Sequence, residues 1–192
     1  MAAAFARCAD FQGSYTRLEI NATWVQECNR RIGRSNQRFL FVHADVHHPY
    51  YNAGGNKQAQ SYVLPCGDGM FDCAIANSVF THLLPNDAKH YLEEMHRILA
   101  PEGLAYIRWY VIGEDYYLNR KTAKYCLQVP GDGYFSTDED MHESVVGYPE
   151  KQIYRLLEET RLEIRKRVPG HWCREKLTLD QHDQDILIVG KV

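Results

Sequence analysis

Residues 71–84 read Phe71-Asp72-Cys73-Ala74-Ile75-Ala76-Asn77-Ser78-Val79-Phe80-Thr81-His82-Leu83-Leu84, and this stretch decides the fold. Cys73 to Ala76 is a short apolar run, bracketed by Gly67-Asp68-Gly69 before it and by polar residues after it. Such a run predicts a strand covered on both faces, as in a parallel sheet. At Asn77-Ser78 the polarity changes abruptly, and a helix signal follows. In open α/β sheets ligands sit beyond the carboxyl ends of the strands, so Asn77, Ser78, Phe80 and His82 are expected at the mouth of a site.

Working outward, Pro85 and Asp87 suit the first turn of a helix running to about Leu99, with Tyr91, Leu92, Met95, Ile98 and Leu99 on its apolar face. Pro101-Glu102-Gly103 is expected to stop it, and 104–111 reads as the next strand. Upstream, Met1–Cys8 has the composition of a helix. Tyr15–Ile20 reads as a strand ending in Glu19. Asn21 then caps a helix whose stripe is Trp24, Val25, Cys28 and Ile32, closed by Gly33. Phe39–Val42 is a second strand, followed by His43-Ala44-Asp45-Val46. The connection from His47 to Gly69 is longer than most and reads as lid-like. Residues 113–148 lack a clear period. Helical positions are suggested around Tyr116, Tyr117, Lys121, Lys124 and Tyr125, a turn at Gly131-Asp132-Gly133, and an exposed acidic stretch from Ser136 to Glu143. A helix opening at Pro149-Glu150 buries Ile153, Leu156 and Leu157. Residues 162–168 alternate like a strand buried on one face, and Asp185–Val189 is a buried strand.

Strand–helix alternation argues an α/β sheet, mostly parallel, and the two final strands without a helix between them imply one antiparallel C-terminal strand. One domain is expected over 1–192, with the lid-like loop at 47–69 and an insert at 113–148. The chain has 192 residues, 45% hydrophobic and 24% charged, with a net charge of -3. That balance gives no electrostatic case for nucleic acid or an anionic membrane, and no run reaches the roughly 20 apolar residues of a span. The six cysteines are scattered without a Cys-x-x-Cys pair, which favours a reduced, cytoplasmic chain. His43, His47 and His48 lie close together, but their spacing matches no zinc motif, so no metal site is expected.

Three polar strand ends line up: Glu19, Asp45 and Asn77. With Phe80-Thr81-His82-Leu83-Leu84-Pro85 and Arg97-Ile98-Leu99-Ala100-Pro101-Glu102-Gly103, this pattern resembles the class I S-adenosylmethionine-dependent methyltransferases, closest to the bacterial small-molecule and sugar-type methyltransferase domains. The resemblance covers residues 1–112 well and the tail, Trp172-Cys173-Arg174 to Gln184-Asp185-Ile186, more loosely. It implies a Rossmann-like methyltransferase sheet, S-adenosylmethionine as cofactor, and methyl transfer to an oxygen or nitrogen of a small molecule or sugar. Glu19, with Ile20 beside it, resembles the acid that takes the ribose hydroxyls; a plain strand-end charge is the other reading. Asp45 resembles the residue that holds the adenine amino group, with Val46 against the ring, or else it is a turn former. Asn77 and Ser78 resemble the positions facing the methionine end and the acceptor, or they cap the strand. His82 is either a general base on an acceptor hydroxyl or a packing histidine. Tyr50, Tyr51, Tyr116, Tyr117 and Tyr125 fall where the resemblance implies a cover over the acceptor, and they either stack on it or pack the cover.

The resemblance also implies a first strand and a Gly-rich loop ahead of the first helix. That helix is Met1–Cys8 here, so the sheet is expected with its first strand missing, as in an N-terminally truncated chain. A non-catalytic remnant that binds no cofactor alone is the alternative reading, and a nicotinamide-dependent enzyme a third. The sequence assigns no oligomeric state and does not name the methyl acceptor.

Overall fold

The computed structural model describes residues 1–8, 10–119, 121, 123–173 and 183–192. The chain divides into two compact units, Met1–Gln58 and Ala59–Val192.

The first unit opens with helix α1 (Ala2–Arg7) and strand β1 (Tyr15–Glu19). Helix α2 (Ala22–Cys28) is capped as expected: the Asn21 side chain accepts hydrogen bonds from Thr23 N and Trp24 N. A turn of π-helix, Asn29–Gly33, continues it. Strand β2 (Phe39–His43) pairs with β1 in parallel, Tyr15 opposite Phe39 and Glu19 opposite His43. Ala2, Val25, Phe39 and Phe41 form the core, with Phe5, Phe11, Tyr15, Cys28 and Ile32 packed against it. Trp24 departs from the expected stripe. It is 59% exposed, because its neighbour Val25 takes the inward position.

The second unit is built on a four-stranded sheet of order β3-β4-β10-β9. Its strands are β3 (Phe71–Ala76), β4 (Leu99–Trp109), β9 (Leu162–Val168) and β10 (Asp185–Lys191). Helix α3 (Pro85–Ile98) connects β3 to β4, which pair in parallel. β10 runs antiparallel to both β4 and β9. The expected mostly parallel sheet is therefore corrected to a mixed one, since inserting β10 between β4 and β9 makes two of three pairings antiparallel.

Two further expectations change. β3 lies at the edge of this sheet, so Cys73 and Ile75 are exposed rather than covered on both faces, and only Ala76 is buried. Pro101-Glu102-Gly103 does not separate helix from strand. α3 ends at Ile98 and β4 starts at Leu99, with a register shift that pairs Phe71 with Leu99 but Cys73 with Leu104. Gly103 sits in that irregularity, where a Cβ would lie 2.8 Å from the Phe71 carbonyl oxygen.

The segment read as aperiodic forms a second sheet of order β5-β8-β7-β6, from β5 (Val111–Ile112), β6 (Val129–Pro130), β7 (Phe135–Ser136) and β8 (Val146–Pro149). Helix α4 spans only Glu114–Asn119, so Lys121, Lys124 and Tyr125 are not helical. Gly131–Gly133 turns between β6 and β7 as expected. Ser136, read as exposed, is fully buried, and its hydroxyl donates to the His142 carbonyl at 2.8 Å. Helix α5 (Glu150–Glu159) buries Ile153, Leu156 and Leu157. These join Leu92, Met95, Ile107, Trp109, Leu187 and Val189 in the main core.

A buried carboxylate ties the two sheets of this unit together. Asp185, 4% exposed at the start of β10, accepts from Val111 N at 2.9 Å, Gly170 N at 2.9 Å and the Trp172 indole N–H at 2.8 Å. Of the tail that the resemblance covers loosely, residues 174–182 lie outside the described residues.

Candidate functional site

In the first unit, parallel pairing brings the carboxyl ends of β1 and β2 to one end of their sheet. Glu19 is the last residue of β1. One of its carboxylate oxygens accepts from Asn21 N at 3.1 Å and the other from the Arg17 guanidinium. A carboxylate offers about four lone-pair sites, so capacity remains for further donors. The Ile20 carbonyl is bonded by the His43 ring at 3.1 Å, which fixes the backbone just after Glu19.

Asp45 follows β2 by two residues. Asn56 donates an amide N–H to its carboxylate at 2.8 Å, and that bond holds the carboxyl below the usual carboxylate range. The group is thus an ionised acceptor. Val46, 3% exposed, forms a bridge with Lys57. The loop beyond is shaped by close backbone approach: at Gly55 a Cβ would lie 2.5 Å from His47 N. The His48 ring accepts from Tyr50 N at 3.2 Å and Tyr51 N at 3.3 Å, leaving the two tyrosine rings exposed and edge-to-face at 4.9 Å. Residues 59–69 belong to the second unit and are strapped to α3. There Glu94 accepts from Leu64 N at 2.6 Å, and Arg97 donates to the carbonyls of Leu64 and Cys66 and to Glu94 and Asp68.

In the second unit the carboxyl ends of β3 and β4 share one end of the sheet with the start of β10, since Asp185 pairs with Trp109. Asn77 and Ser78 emerge there. Asn77 is exposed, and Ser78 adopts φ 57, a left-handed conformation uncommon for a non-glycine residue. The Ser78 hydroxyl donates to the Gln184 side-chain oxygen at 2.8 Å, and the Gln184 amide donates to the Tyr110 hydroxyl at 3.2 Å. Tyr110 is 3% exposed, and burial pushes its phenol well above its ordinary value. Sequence reasoning missed Gln184 and Tyr110, because no local spacing links residues 106 positions apart.

His82 ends a short 3-10 turn, Phe80–His82. Its Nδ1 lies 3.0 Å from the Glu143 carbonyl oxygen. A carbonyl only accepts, so Nδ1 carries the proton in this bond. The adjacent Thr81 and Leu83 are buried, and the Tyr148 hydroxyl fixes the turn by donating to the Leu83 carbonyl at 2.6 Å. Among the described residues no cluster of three His, Cys, Asp or Glu side chains is placed to hold a metal ion. None of the six cysteines is in a disulfide. No helix among the described residues is long and apolar enough to cross a membrane.

A family model described as "Methyltransferase domain" matches residues 1–107. The chain belongs to this family, the class I S-adenosylmethionine-dependent methyltransferase domains, and its cofactor is S-adenosylmethionine. Solved structures share the fold. A SAM-dependent methyltransferase from Methanosarcina mazei is 21% identical at a TM-score of 0.59, over 94% of this chain and 84% of that one. The 1,6-didemethyltoxoflavin-N1-methyltransferase of Burkholderia thailandensis, solved with S-adenosylhomocysteine, is 17% identical at a TM-score of 0.53, over 92% of this chain and 60% of that one. The [4+2]-cyclase SpnF is similar at a TM-score of 0.61 and 18% identity, over 99% of this chain and 70% of that one.

Proposed function

We propose that the chain transfers a methyl group from S-adenosylmethionine to an oxygen or nitrogen of a small molecule. The observation that supports this most is the set of polar groups at the carboxyl ends of the strands: Glu19 and Asp45 at one end of the first unit's sheet, Asn77 and Ser78 beyond β3. Their chemistry fits the cofactor. The Glu19 carboxylate accepts two hydrogen bonds from the vicinal ribose diol, with Ile20 beside it. The Asp45 carboxylate, ionised and pre-oriented by Asn56, accepts from the adenine amino group, with Val46 as apolar neighbour. Asn77 and Ser78 serve the methionine end and the acceptor.

When bound, the cofactor supplies a methyl already activated by a positive sulfur, so the protein chiefly aligns acceptor and methyl. A hydroxyl acceptor needs its proton removed, and His82 is the base this chain offers, its ring oriented by the bond from Nδ1 to the Glu143 carbonyl. The likeness to a cyclase shows that the fold alone does not set the reaction.

Calorimetric titration of the chain with S-adenosylhomocysteine tests this reading. Micromolar binding is expected, weakened about tenfold or more by Glu19→Ala and by Asp45→Ala, each of which removes a charged acceptor. Unchanged affinity in both variants removes the site assignment, and absence of binding by the folded chain returns the reading to a non-catalytic remnant.

A further inference from the structure

The hydrogen bonds behind Ser78 have a direction. The Tyr110 and Tyr125 rings pack 5.1 Å apart, and the Lys124 ammonium lies over the Tyr125 ring while pairing with Asp183 at 2.7 Å. The nitrogen of the Gln184 amide points toward Tyr110 and donates to its oxygen at 3.2 Å. The Gln184 oxygen therefore faces Ser78 and takes the only proton of the Ser78 hydroxyl. Gln184 is 7% exposed and Tyr110 3%, so bulk water does not scramble this order. Ser78 is only partly buried, and its φ of 57 sets it at the end of β3 in a conformation that its surroundings must hold.

We infer that Ser78 faces the site as a hydrogen-bond acceptor only, so the ligand group that meets it is a donor: an ammonium, an N–H or an O–H. Gln184 and Tyr110 are the positioning residues that impose this polarity. The inference rests on the proposed methyl transfer, and the donor has two possible sources there: the α-ammonium of the cofactor, or the nucleophile of the methyl acceptor. An acceptor without a hydrogen to donate, such as a thioether, gains nothing from Ser78.

Three probes separate these sources. S-adenosylhomocysteine carries the α-ammonium, its des-amino analogue lacks it, and sinefungin adds an amine where the methyl would sit. Ser78→Gly is the informative variant, because glycine adopts a positive φ without strain and only the hydroxyl is lost. Loss of one hydrogen bond to a charged donor is expected to weaken the matching probe about tenfold. If S-adenosylhomocysteine weakens and the des-amino analogue does not, the donor is the cofactor ammonium. If only sinefungin weakens, the donor sits at the transfer position and belongs to the acceptor. Gln184→Met frees the Ser78 proton and should narrow the preference for the donor-bearing probe about threefold or more, while Gln184→Glu, which still accepts that proton, should retain it. Equal affinities in wild type and Ser78→Gly for all three probes overturn the inference and leave the functional reading standing. So does identical behaviour of the two Gln184 variants. No binding of any probe by the wild-type chain overturns the functional reading and this inference with it.

Discussion

Replacing Asp185 with asparagine and with alanine should destabilise the second unit in a graded way. The carboxylate accepts from Val111 N, Gly170 N and the Trp172 indole at 2.8–2.9 Å, all in a buried setting. Hydrogen bonds to a charged group contribute about 1.5–3 kcal/mol each, and orphaned buried donors cost a similar amount. Alanine orphans three donors but also removes a buried charge, whose desolvation already costs several kcal/mol. A net loss of about 3 kcal/mol is expected, a large share of the roughly 5–15 kcal/mol that holds a domain folded. Asparagine is nearly isosteric. Its oxygen can take the position that serves Val111 and Trp172, but its amide then faces Gly170 N–H, donor against donor. About 1–2 kcal/mol should be lost. Trp172→Phe removes one donor and keeps an aromatic ring, so only about 1 kcal/mol is expected from the hydrogen bond. Urea unfolding, followed by far-UV circular dichroism and tryptophan fluorescence, measures all three. If alanine is tolerated as well as asparagine, or if both unfold at the wild-type midpoint, the carboxylate does not join the two sheets as described.

The Arg97–Glu94 strap should show in the pH profile. The hydrogen bonds from Arg97 hold the Glu94 carboxyl below its ordinary value of 4.5, so its stabilising contribution is complete above that value and is lost as pH falls through the lowered one. Arg97→Met should reduce stability by about 2 kcal/mol near neutral pH and flatten the acid limb of melting temperature against pH, whereas an unchanged limb removes Glu94 from its cause. Gly103→Ala places a Cβ 2.8 Å from the Phe71 carbonyl oxygen, a backbone atom that cannot swing away, and should lower the urea midpoint by the equivalent of about 1–3 kcal/mol. Tyr148→Phe should cost about 1–2 kcal/mol by orphaning the buried Leu83 carbonyl, and a neutral result in denaturant unfolding would show that the carbonyl finds another partner.

The elements that sequence reading placed well are those whose pattern is local and long. α3 and α5 carry their apolar residues at helical spacing, and β10 is a continuous apolar run. Asn21 shows its capping role within three residues. The small sheet β5-β8-β7-β6 was not legible, because its strands are two to four residues long and are held by distant partners such as the Asp185 carboxylate rather than by their own periodicity. The apolar run of β3 reads as doubly covered, yet apolar content alone does not tell an edge strand from an interior one. Spacing points Trp24 inward, while the adjacent Val25 fills that place. At the candidate site, the polar strand ends Glu19, Asp45 and Asn77-Ser78 were visible as breaks in apolar runs. The polarity of Ser78 was not, since its partner Gln184 meets it only through the tertiary fold.

The position of β10 bears on how the polypeptide acquires its structure during synthesis. This strand lies between β4 and β9 but follows both in the chain. As the polypeptide leaves the ribosome, β3, α3 and β4 can assemble from contacts close in sequence, whereas the facing edges of β4 and β9 wait for residues 185–191. Until then the nascent chain exposes two unpaired edges, the state in which chaperones would be most engaged. The bonds from Asp185 to Val111, Gly170 and Trp172 form at that same late step, so one strand's arrival both completes the large sheet and anchors the small one.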